Sequence, residues 1–128
     1  MDLSWWGSYD GEYWHDFILH MERENFFKKD METLDKLFCD REYTPINIIG
    51  IMNVRSRVRI DELVETAKTT CKIDNAVLVF KTTSSGKSQP YFDEVHAYLL
   101  NKSEIIEKKM AFVSDISGTL YMQFEKTL

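Results

Sequence analysis

Two strand-length apolar runs flank a helical stripe in the middle of the chain, and this order limits the fold more than any other feature. Tyr43 to Val58 reads as a strand region, opened by Thr44-Pro45 and filled by Ile46, Ile48, Ile49, Ile51, Met52 and Val54. Pro45 is tolerable at a strand start, where no ladder donor is needed. Ile60, Leu63, Val64, Ala67 and Cys71 then fall on one face of a helix. Asp61 and Glu62 lie in its first turn, where the helix dipole favours acids. Asn75 to Phe80 is a second apolar run of strand type. Strand, helix and strand within about 37 residues predict a right-handed parallel βαβ unit.

The flanks are read from the same periodicities. Trp14, Phe17, Ile18 and Met21 follow i, i+3, i+4, i+7, which predicts a helix over 11–23 capped by Asp10 or Ser8. Phe27, Met31, Leu34 and Phe38 form a second stripe. At 100° per residue Trp14 and Phe27 differ by about 220°, so one straight helix would point them to opposite sides. Two helices broken near Glu24-Asn25-Phe26 follow. Phe92, Val95 and Leu99 predict a further helix, continued or restarted through Ser103 with Ile105 and Ile106. Met110 to Val113 and Leu120 to Phe124 predict a hairpin, with Asp115-Ile116-Ser117-Gly118 as its turn. The expected fold is a single domain spanning all 128 residues. Its class is α+β or α/β. Two N-terminal helices precede a mixed four-stranded sheet of β-α-β-α-β-β order, with helices on at least one face.

Charge is unevenly spread along this chain. The net charge is −5. Residues 1–24 hold six acids, Asp2, Asp10, Glu12, Asp16, Glu22 and Glu24, against one base, Arg23. The rest of the chain is balanced. All three tryptophans, Trp5, Trp6 and Trp14, share that segment with Tyr9, Tyr13 and Phe17. An acidic, aromatic surface suits a basic protein partner: long-range attraction speeds encounter, and Trp and Tyr make good buried anchors. The expected partner-binding patch is Trp5, Trp6, Tyr9, Asp10, Glu12, Tyr13 and Asp16. Trp14 and Phe17 are assigned to the core face of the same segment.

Other chemistries are poorly served. Ser84-Ser85-Gly86-Lys87-Ser88 has the tail of a phosphate-binding loop, but Lys81 stands where that loop needs its first glycine. His15 and His20 are five apart, about 140° on a helix, and no Cys-x-x-Cys accompanies them. Neither a metal nor a cofactor is expected. Nothing in the spacing of Cys71 and His96 requires a nucleophile–base pair. Cys39 and Cys71 are expected as reduced thiols. If the strand runs far enough, Arg55, Arg57 and Arg59 share one face and form an anion-binding stripe, or they pair with nearby acids. A pI near 5.2 argues against broad nucleic-acid affinity. The N-terminus lacks a basic stretch followed by an apolar one, and no apolar run is long enough for a membrane span. The expected location is cytoplasmic.

Residues 46–110 loosely resemble the second half of restriction-endonuclease-like nucleases of the Mrr type. The resemblance runs through Ile48 to Val54, the helix after Asp61, Val77 to Phe80, Thr82-Thr83-Ser84 and the segment after Phe92. It implies a Glu-x-Lys pair holding a divalent metal at the end of the first of these strands. This chain has Asn53-Val54-Arg55 there, and Asp40 or Glu42 would have to supply the preceding acid. Three function classes follow. The first is a small acidic protein-binding inhibitor, most like a bacterial toxin-neutralising immunity protein or a phage-encoded inhibitor, and not an enzyme. The second is a nuclease relative with a degenerate site. The third is a homo-oligomeric structural subunit with the tryptophans at its self-interface.

Overall fold

The computed structural model describes residues 2–82 and 94–124. Among these, seven strands build one mixed sheet and two α-helices cover one of its faces. Strands β1 (Leu3–Tyr9) and β2 (Trp14–Glu24) form an N-terminal hairpin. A single 3-10 turn, Phe27–Lys29, leads into α1 (Asp30–Phe38). Then follow β3 (Asn47–Val54), α2 (Arg57–Thr70) and β4 (Asn75–Thr82). Three further strands complete the sheet: β5 (Glu94–Asn101), β6 (Glu104–Ile116) and β7 (Thr119–Phe124). The strands lie side by side in chain order. The pairs β2–β3 and β3–β4 are parallel, and every other pair is antiparallel.

The central βαβ expectation matches β3-α2-β4, with the strand stopping at Val54 rather than reaching Val58. A second parallel crossover, β2-α1-β3, was not foreseen. Both crossovers step the same way along the sheet, so α1 and α2 lie together on one side, in mutual contact. Ser56 ends the strand and caps α2, its hydroxyl accepting the Arg59 N–H at 3.2 Å. The core lies between helices and sheet: Leu34 and Leu37 from α1, Ile60, Leu63 and Ala67 from α2, and Met52, Leu78, Phe80 and Leu100 from the strands. At Gly50 the strand passes under α1 so closely that a Cβ would stand 2.5 Å from Leu37 Cδ1.

Three sequence expectations are corrected. The segment 11–23 is strand, not helix. A β-bulge adds Ile18 between Phe17, which faces Trp6, and Leu19, which faces Trp5. The bulge stretches the period from 2 to 3 at one point, so Phe17, His20 and Glu22 point inward while the apolar spacing imitates a helix. The segment from Val95 to Leu99 is likewise strand: His96, Tyr98 and Leu100 face the helices, and Val95, Ala97 and Leu99 line the other side. With both faces apolar, the alternation that marks a strand is invisible. The sheet therefore has seven strands, not four, and the helices are interleaved with strands rather than both N-terminal. The C-terminal hairpin is present. Its turn residues Ser117 and Gly118 both have positive φ, 54° and 83°, as a type I′ connection requires. The loop Ser84 to Ser88 lies outside the described residues.

No described helix covers the second face of the sheet. There the register aligns two apolar rows across the strands. Met21, Ile49, Val77 and Leu99 form one, ending at Glu107 on β6. Arg23, Ile51, Val79 and Ala97 form the next, ending at Lys109. Beyond them lie Asn47 and Asn75 on one side and Asn53 and Lys81 on the other.

Candidate functional site

The proposed partner patch maps to the β1–β2 hairpin, but its residues do not share one surface. Successive strand residues point to opposite faces. Trp6 packs on the helix side, stacked on Phe17 with ring centroids 4.3 Å apart and edge-on to Tyr43 at 5.7 Å. Trp5 stands opposite Leu19 on the uncovered face and is 60% exposed. Phe17 is buried, as assigned, but Trp14 is not: it is 53% exposed and lies against Tyr9, centroids 4.8 Å apart. At the hairpin tip, Trp6, Tyr13, Trp14, His15 and Tyr43 line an open aromatic cleft.

Asp10 has a local task. Its Oδ1 accepts the N–H groups of Glu12 and Tyr13 at 2.8 and 2.7 Å, and its Oδ2 bonds to His15 Nε2. These bonds, the Tyr13 N–H first, hold its carboxyl below the ordinary carboxylate range. Asp10 therefore builds the turn. Glu12 and Asp16 are exposed and carry the acidity of the tip.

Beneath the hairpin lies a polar cluster that the helical reading dispersed. His20 is 1% exposed and Glu22 5%. His20 Nδ1 accepts from Arg41 Nη1 at 2.8 Å, which assigns the proton to Nε2, and that nitrogen donates to Glu22 Oε1 at 2.9 Å. Burial pushes the His20 imidazole below its ordinary value, against the pull of Glu22, and Arg41 adds to the push. Arg41 also donates to the carbonyls of Lys36 and Leu37, which closes the C-terminal end of α1. The cluster thus ties the hairpin to the helix. His-x-Glu was its signal, since residues two apart share a face in a strand.

The mirror-ordered pair Glu94 and His96 stands on β5. Glu94 Oε2 accepts from His96 Nε2 and from Arg57 Nε, both at 2.8 Å. Arg57, opposed by partial burial and aided by His96, draws the Glu94 carboxyl down to about 2. His96, Tyr98, Arg57, Asp61 and Lys108 line a cleft between α2 and the sheet.

The three arginines do not form a stripe. The strand ends before them, so the alternation that would align them is lost. Arg55 lies over the Phe27 ring, 4.0 Å from its centroid. Arg57 reaches Glu94. Arg59 grips buried Asp30 through two bonds of 2.9 and 2.8 Å and also reaches Glu62. Asp30 is accordingly held below the usual carboxylate range, by Arg59 first and against its own burial.

The nuclease residues are likewise apart. Asn53 is at the C-terminal end of β3, its amide donating to the Asn25 carbonyl at 3.0 Å. Asp40 precedes the other end of that strand and pairs with Lys72 at 2.8 Å. Six strand steps, roughly 20 Å, separate Asn53 from that end. Cys71, at the end of α2, and His96 are similarly separated; burial raises the Cys71 thiol. Both cysteines are free thiols. Among the described residues, no three His, Cys, Asp or Glu side chains are grouped to hold a metal. No described helix is long and apolar enough to cross a membrane. No family model matches the chain, nor does any curated protein or solved structure.

Proposed function

We propose that this chain is a protein-binding module of the inhibitor or immunity-protein kind, which docks a basic partner on the tip of the β1–β2 hairpin. The supporting observation is the tip itself. Tyr13 and Trp14 are 63% and 53% exposed and line an aromatic cleft, and Glu12 and Asp16 are exposed on the same hairpin. Large aromatics held on a hydrogen-bonded hairpin can anchor an interface at modest entropic cost. Exposed carboxylates on the same hairpin attract a cationic partner over a distance. An arginine or lysine entering the cleft would meet aromatic faces.

Glu12 and Asp16 are the residues to reverse. Asp10 is not, because its loss would undo the turn. With the partner in hand, Glu12→Lys with Asp16→Lys should slow association about tenfold at low salt and much less above 0.3 M salt, where the Debye length is about 6 Å. Equal rates for both proteins at low salt would remove the hairpin from the interface.

A further inference from the structure

We infer that the uncovered face of the sheet is a homodimer interface, with a second copy of this chain as its occupant. The face is built for burial. The Ile49–Val77–Leu99 and Ile51–Val79–Ala97 rows cross the centre of the sheet with no described helix over them, and every member keeps part of its surface open to solvent. Sheets with one solvated face ordinarily alternate apolar and polar residues; here β3, β4 and β5 are apolar on both sides. Five strands at about 4.8 Å spacing and four rows about 6.7 Å apart give roughly 600 Å² in plan. Side-chain relief brings this near the about 800 Å² per partner of a stable complex.

The chemistry of the face selects a second copy, because the face complements itself. Place a two-fold axis between the sheets, perpendicular to the strands, passing midway between the two apolar rows. Each Ile49 row then lies over the partner's Ile51 row. The Asn53–Lys81 edge meets the partner's Asn47–Asn75 edge, polar on polar. Glu107 and Lys109 end adjacent rows on the same strand. The same axis sets each Glu107 toward the partner's Lys109, so the ion pair they make within the chain, 3.3 Å, gains two counterparts across the interface. An axis parallel to the strands instead sets Lys109 against Arg23, like on like. Two sheets packed this way sit about 10 Å apart, with their inner side chains forming a second core. The hairpin tip projects beyond the sheet and stays free, so this interface and the docking of a basic partner are independent.

Sedimentation velocity on the full chain, from about 1 to 100 μM, is the test. The wild type should move from monomer to dimer or remain dimeric throughout. Val79→Lys should be monomeric over the same range with its circular dichroism unchanged. Glu107→Lys should weaken association roughly tenfold, since the axis counts each pair twice, and Glu107→Lys with Lys109→Glu should restore it. The charge variants alter exposed positions at the edge of the face, so they decide the matter even if Val79→Lys fails to fold. A wild-type monomer at 100 μM overturns the proposal. So does a dimer that survives Val79→Lys, or one indifferent to Glu107→Lys. None of these results bears on the hairpin, whose variants leave this face intact.

Discussion

His20 shows what a single buried side chain decides. It is neutral, with its tautomer set by Arg41 on one nitrogen and Glu22 on the other. Burial lowers its proton affinity in the folded state below the ordinary value of 6.5. Below pH 6.5 the unfolded chain therefore takes up a proton that the folded chain resists, and stability falls. Above that pH the contribution is complete. Urea midpoints should fall between pH 7.5 and pH 5, and His20→Gln should flatten that part of the profile while lowering stability at both ends. A profile unchanged by His20→Gln would show that another group titrates. Glu94 acts in a lower window. Its carboxyl is drawn from 4.5 to about 2, so its share of stability is present above pH 4.5 and lost as pH falls toward 2.

The elements differ in how plainly the sequence announces them. Helix α2, strands β3 and β4 and the C-terminal turn are legible because each keeps one period along its whole length. Strand β2 is not. Its bulge at Ile18 shifts the phase, and its inward residues include His20 and Glu22, which a pattern reading turns outward. Strand β5 hides for a different reason, since apolar residues on both faces leave nothing to alternate. The site inherits these errors. The aromatic and acidic content of the N-terminus was visible, but its division between two faces required the strand. The packing of α1 on β3 shows how tightly the elements are fitted. A methyl at Gly50 would meet Leu37 and Leu78, at 2.5 and 3.1 Å, in a region with both leucines fully buried. Gly50→Ala should lower stability by about 1–3 kcal/mol through overpacking, read as a reduced urea midpoint with unchanged m-value. A neutral or stabilised variant would mean that α1 sits farther from the strand.

At the scale of the molecule, chain-order topology puts both helices on one side and leaves hairpins at both ends of the sheet. One hairpin carries the acidic aromatic tip, and the bare face between them carries two apolar rows. The buried polar groups are paired: His20 with Glu22 and Arg41, Asp30 with Arg59, His96 with Glu94. They pin elements to one another. Exposed aromatics stand on the hairpin tip and two apolar rows on the open face, and the proposed binding rests on these surfaces. The direct measurement is capture from source-cell lysate by immobilised wild type and by Tyr13→Ala with Trp14→Ala, each at low and high salt. One basic protein should be held by the wild type, released by salt and at least tenfold depleted on the variant. Equal capture by both proteins would contradict it.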